Sequence, residues 1–400
     1  MEMIVSLKDK RLHTNLFSIY SVLPYKREYL PILVLLKKIL INRAKGYRTQ
    51  QDIVKESENL YGIPYSMNYS VVENNIFVMT TFNVIDETYI NDKRLLKKSL
   101  KFIYKLFFEF YEGRFTNKLI KEQKEIVANQ VAEIFNRPAY IAREGLYAAL
   151  DKDWILSIPI YGTIDEILNV TKKDLMKVHK EIIDAPKACF IVGPISEAKA
   201  NKALSKYFTF EAKLSSFSEY TRNGRDVVEV VQEKEVHQTV IQMGFILEEE
   251  MTRHEALVLN ALIGGLGTSR LFKEIREKRG LCYSISSSLS NFNKMLFVSS
   301  GIETSNIEIA KESIKDVISS LKFTTKELKQ AITIICSSVT SSLDNSEAIL
   351  NDLVRSTRLN EKLDYKKNIK GFKSVTLKRI NYLASKIVYQ GIFVLKGVIK

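Results

Sequence analysis

Self-similarity at a fixed spacing constrains this chain more than any of its bulk properties. "LYGIPYSMNYSVVENNIFVMTTF" (Leu60 to Phe82) returns 218 to 220 positions later within "RGLCYSISSSLSNFNKMLFVSSGI" (Arg279 to Ile302). Gly62, Tyr65 and Ser66 match Gly280, Tyr283 and Ser284, and Phe77-Val78 match Phe297-Val298. Downstream, "VTKKDLMKVHKEIIDAPKACFIVGPI" (Val170 to Ile195) returns as "VTLKRINYLASKIVYQGIFVLKGVI" (Val375 to Ile399) at an offset near 205. Two matches in the same order at similar offsets mean a duplicated unit. Chains beyond about 250–300 residues split into domains, and the 400 residues here divide into 1–210 and 227–400. The polar, Ser-rich "EAKLSSFSEYTRNGRD" (211–226) is the expected linker.

Local patterns then assign elements. In "SRLFKEIREKRG" Ser269 suits an N-cap, Leu271, Phe272 and Ile275 share a face, and Lys278 and Arg279 lie in the last turn. Gly280 suits the left-handed position just past the helix. "LCYSISSSL" alternates Leu281, Tyr283 and Ile285 against Cys282, Ser284 and Ser286, as a half-buried strand does. "LFVSSGI" (Leu296 to Ile302) follows as its hairpin partner. Amphipathic helices are expected at Lys97 to Tyr111, Asn117 to Phe135 and Asn306 to Leu321. The fold class is α+β: in each repeat a mostly antiparallel sheet covered by helices.

Composition narrows the function classes. Net charge is +14, spread along the chain as lysine without interleaved aromatic stacking residues. That reads as a solvated surface and disfavours nucleic-acid binding. Cys189, Cys282 and Cys336 are isolated, which argues against a disulfide framework or a thiolate zinc site. The longest apolar run near the start, "YLPILVLL" (Tyr29 to Leu36), is far short of the roughly 20 residues of a membrane span. The first residues lack signal-peptide order, so a cytoplasmic location and no membrane partner are expected.

"LIGGLGTSRLFKEIREKRGLCYSISSS" resembles the second-domain signature of M16 (insulinase/pitrilysin-type) metallopeptidases, in particular the two-domain M16B branch. "YRTQQDIVKESENLYGIPYS" and "KEQKEIVANQVAEIFNRPAYIA" are similar to first-domain segments of that family. The resemblance implies two duplicated domains in a clam-shell arrangement around a peptide-sized chamber. It also implies an HxxEH zinc motif and a distant glutamate, in which two imidazoles and a carboxylate hold Zn²⁺ and the middle glutamate activates water. This chain departs there. Its four histidines are His13, His179, His237 and His254, so none lies between positions 14 and 178. Alignment on Gly62 puts Leu35, Lys38 and Ile39 at the motif, and alignment on Pro138 puts Gln130 at the distal glutamate. No metal is expected on this chain.

The resemblance also implies a substrate-handling arginine and tyrosine seven residues apart, which stand here as Arg276 and Tyr283. Both can donate hydrogen bonds to a peptide carbonyl or a developing oxyanion. Gly264, Gly265, Gly267 and Gly280 are expected to shape the loop that aims them; no P-loop lysine follows these glycines. His254-Glu255 has no second ligand beside it and is expected to be a surface pair at a helix start. The Lys97, Lys98, Lys101, Lys105 row is expected to be a solvated face. In some M16B systems one subunit carries the zinc motif and a similar subunit carries the arginine and tyrosine. The expected role is therefore a non-catalytic, substrate-binding subunit whose HxxEH-bearing partner holds the zinc. The alternatives are a structural M16-like core subunit, a homodimeric peptide-binding module and a nucleic-acid binder, in that order.

Overall fold

The computed structural model describes residues 4–152, 155–212, 214 and 226–398. Most of the expected linker, 211–226, lies outside the described residues. Among them are two five-stranded sheets built on one plan. The first uses β1 (Ile4–Lys8), β2 (Thr14–Pro24), β3 (Tyr65–Val72), β4 (Asn75–Ile85) and β5 (Lys187–Gly193) in the order β1-β5-β2-β4-β3. The second uses β6 (Val228–Lys234), β7 (Thr239–Ile246), β8 (Cys282–Ser290), β9 (Met295–Ile302) and β10 (Val388–Gly397) in the order β6-β10-β7-β9-β8. Each has one parallel pair, β1 with β5 and β6 with β10, and is otherwise antiparallel. Strand for strand the orders are equivalent, so the repeat read in the sequence is a repeat of topology.

The repeat extends to single caps. Thr171 and Thr376, 205 positions apart, each accept a backbone N–H of their own helix, from Asp174 and Arg379 respectively. Gly62 and Gly280 have φ of +68° and +63°, a region that costs a side chain and costs glycine little. Main-chain bonds of the same span close both turns, Ile63 N to Ser57 O and Leu281 N to Ile275 O. The helix expected over Asn117 to Phe135 is found with those bounds. The other two differ by a few residues, as Leu95–Ile103 continued by Tyr104–Phe108 and as Ile307–Ser319.

Compactness groups the chain differently from repeat order. One unit comprises 1–132, 160–217 and 342–363; the other comprises 133–159, 218–341 and 364–400. The discontinuity has a packing cause. Helix Pro138–Leu150, from the first repeat, places Ala142, Leu146 and Leu150 on Val240, Met295, Phe297, Phe393 and Leu395 of the second sheet. Reciprocally, helix Ser346–Arg358 buries Ile349, Leu350 and Leu353 among Leu16, Tyr20, Phe77 and Phe190 of the first sheet. Each sheet thus has several helices of its own repeat on one face and one helix of the other repeat on the opposite face. Local periodicity predicts such helices but carries no sign of which sheet they cover.

Gly145 sets how closely the exchanged helix approaches β10. A Cβ there would lie 2.3 Å from Phe393 Cε2, inside an aromatic side chain with little room to move. Gly145→Val should destabilise this unit by about 2 kcal/mol through overpacking. The check is a lower urea midpoint, read with a probe of the second sheet.

Candidate functional site

The positions that the resemblance assigns to zinc sit on helix Tyr29–Leu40, whose first turn lacks acidic residues and whose last turn carries Lys37 and Lys38. The helix is apolar on nearly every face, so it is buried nearly all round. Leu35 and Ile39 are fully buried among hydrocarbon, with no donor atom to offer. Lys37 is partly buried over the Tyr69 ring; burial, helped by the charge of Lys38, pulls its ammonium below the usual lysine range. Gln130 is exposed, one residue before buried Val131. An apolar helix bearing paired ammonium groups does not fit a dication. Among the described residues, no three His, Cys, Asp or Glu side chains come together as a metal site.

The second sheet carries the other candidates. Residues 270–278 are helical, with Phe272–Lys278 wound as a π-helix. Ser269 stands at the helix start as expected, but its side chain is no cap: its oxygen is buried without a hydrogen-bond partner among the described residues. Its backbone is used instead: the carbonyl accepts from Lys273 N, and the N–H donates to Leu266 O. Lys278 pairs with Glu274, and Arg279 reaches Ser313 Oγ at 2.7 Å. Arg276 is exposed, and its guanidinium lies 4.8 Å from the Phe272 ring centre. That ring holds the arginine in place, while the guanidinium forms no ion pair among the described residues.

Of the loop glycines, Gly264 and Gly280 have clear reasons. A Cβ on Gly264 would stand 2.9 Å from the Ser287 backbone nitrogen, so the turn Ala261–Gly265 lies against β8 only because the side chain is missing. Ser287 adds a bond to Asn260 Oδ1 at 2.8 Å. Gly265 leans on the Asn260 side chain, whereas Gly267 faces open space. Outside this stretch His254 and Glu255 are indeed structural. His254 bonds Asn368, and Glu255 caps its helix and pairs with Arg379. Lys98 is tied to Asp92, and Lys105 lies over the Tyr47 ring.

Tyr283 departs from the expected alternation. β8 pairs Ser284 with Gly301 but Cys282 with Ile302, so Tyr283 is the extra residue of a β-bulge. Bulges re-aim side chains. Here Cys282 and Ile285 both enter the core while Tyr283 and Ser284 both turn outward, leaving Tyr283 59% exposed. Its counterpart Tyr65 lies on an unbulged strand and packs against Phe102 and Phe107. One repeat uses this tyrosine to fill space; the other presents it to solvent.

A residue not anticipated from sequence stands beside it. Tyr283 Oη donates to Glu303 Oε1 at 2.8 Å, and that carboxylate holds the phenol above its usual range. The signal was present in the hairpin. Glu303 directly follows Ile302, which faces the start of β8, but only the bulge brings residues 283 and 303 into reach. The single phenolic proton is therefore engaged by Glu303 in this structure. Arg276 brings donors, and Tyr283 with Glu303 brings acceptors.

This geometry defines a duplicated α+β scaffold that presents Arg276, Tyr283 and Glu303 from its second repeat and, among the described residues, no metal-ligand set. Residues 169–335 match the family profile described as the peptidase M16 inactive domain. A Bacillus subtilis relative described as "Probable inactive metalloprotease YmfF" is 22% identical, with 98% of this chain and 95% of the relative covered. Another from the same organism, described as the uncharacterized zinc protease YmxG, is 25% identical over 70% of each chain. Among solved structures, a conserved protein from Enterococcus faecalis shares the fold with a TM-score of 0.89, at 19% identity over 99% and 96% of the two chains. A peptidase M16 inactive domain from Pseudomonas fluorescens follows at 0.78 and 15%, over 99% and 96% of the two chains. The chain is thus similar over nearly its whole length to an inactive, metalloprotease-like relative, and residues 169–335 carry the M16 inactive-domain pattern. Among the described residues no helix is long and apolar enough to cross a membrane.

Proposed function

We propose that the chain is the substrate-binding, non-catalytic subunit of a two-chain zinc peptidase or peptide-processing complex. The observation that carries this reading is the contrast between the repeats. The positions assigned to zinc hold Leu35, Lys38, Ile39 and Gln130, yet the second repeat has a bulge, absent from the equivalent strand of the first, and an aromatic rest that present Tyr283 and Arg276. That construction supports a role in holding a ligand. An HxxEH-bearing M16 homologue would hold the zinc and its general base, and Arg276 and Tyr283 would orient the peptide in its cleft. A cytoplasmic location belongs to the same proposal.

The test begins with the chain alone. Purified after expression with zinc supplied, it should carry far less than one zinc per chain and leave a quenched peptide mixture intact. Stoichiometric zinc with hydrolysis by the lone chain would overturn the reading.

A further inference from the structure

If the site handles peptides at all, its polarity says which peptides, and this inference rests on the function proposed above. A neutral phenol has one proton to give. Tyr283 gives it to Glu303, and a bond to a carboxylate is stronger than one to a neutral peptide carbonyl, so substrate carbonyls do not displace it. What the phenol then turns to solvent is its oxygen lone pairs. Glu303 is itself exposed and forms no ion pair among the described residues, and its remaining lone pairs also face outward. Arg276 rests on the Phe272 face and forms no ion pair among the described residues, which leaves its N–H groups for carbonyl oxygens.

We propose that Tyr283 and Glu303 form an acceptor subsite that selects peptides carrying a positively charged side chain, with Glu303 as the specificity-determining residue. A guanidinium or ammonium group supplies several N–H donors and the compensating charge. A neutral amide supplies fewer donors, and a carboxylate is repelled.

Peptide binding by the full chain tests this without any partner activity. The probe is a mixed-sequence library, acetylated and amidated at its ends, with one position fixed as arginine or as its neutral isostere citrulline. The wild-type chain should prefer arginine by about tenfold or more, the scale of a hydrogen bond to a charged group. Glu303→Gln should bring the ratio close to unity with an unchanged unfolding midpoint, since the replaced group is exposed. Tyr283→Phe should keep a reduced preference, because the carboxylate remains. A ratio near unity in the wild type, or a preference that survives Glu303→Gln, overturns the assignment while leaving peptide binding intact. No measurable binding of either library overturns the peptide-binding reading itself.

Discussion

Replacing Arg276 by alanine should, on the proposed function, lower peptide turnover by about 10²-fold in a pair formed with an HxxEH-bearing homologue. Loss of one preorganised donor aimed at developing charge costs that much elsewhere. The expectation is specific because Arg276 does little for the fold. It is exposed, pairs with no carboxylate among the described residues, and rests on the Phe272 ring. The unfolding midpoint should therefore barely move while turnover falls. Arg276→Lys should recover only part of the loss, since an ammonium keeps the charge but not the planar fork. Steady-state kinetics of the reconstituted pair provide the check. Unchanged kcat/KM in Arg276→Ala would favour the scaffold alternative instead.

The second large effect concerns stability, at Arg114. Three carbonyls at the end of the π-helix Tyr104–Phe108 take side-chain partners. Arg114, with no exposed surface, gives one N–H to Leu106 O at 2.9 Å and another to Lys105 O at 3.0 Å. His179 takes the third, with Nε2 2.9 Å from Phe107 O, which fixes the proton on Nε2. Burial pulls the Arg114 pKa down to about 10, so the charge is held at some cost and the carbonyl bonds offset it. Arg114→Ala would strand two buried acceptors and should destabilise this unit by about 3 kcal/mol. The measurement is its urea midpoint against wild type.

His179 gives the same cluster a pH dependence. Burial, reinforced by the nearby Arg114 charge, lowers its pKa from 6.5 to about 3. The folded state thus refuses a proton that the unfolded imidazole accepts below pH 6.5. Stability is complete above that pH and falls by up to about 1.4 kcal/mol per unit between 6.5 and 3. A His179→Gln variant, with an amide N–H for Phe107 O, should lose much of this slope.

How much was readable beforehand divides along physical lines. Interactions close in sequence left local signatures. Gly280 was legible because the left-handed turn favours its side-chain-free backbone, and Asn117–Phe135 because its apolar period is that of a helix. The absence of a zinc motif needed no alignment, since no histidine lies between positions 14 and 178. Long-range choices left no such trace. The Ser-rich face of β8 gives two registers nearly the same polarity, so the bulge that turns Tyr283 outward and recruits Glu303 was invisible. Arg114 and His179 are 65 positions apart and meet only through the carbonyls of Lys105, Leu106 and Phe107. The exchanged helices look like any amphipathic segments until a particular sheet receives them.

On the proposed function, this chain is half of a peptidase site. The most direct test is turnover of a quenched peptide by an HxxEH-bearing M16 homologue from the same cell, measured alone and with this chain added in increasing ratio. The homologue alone should show little activity, and the rise should saturate near one chain per homologue. Full activity of the homologue alone, unchanged by any amount of this chain, would contradict the proposed function.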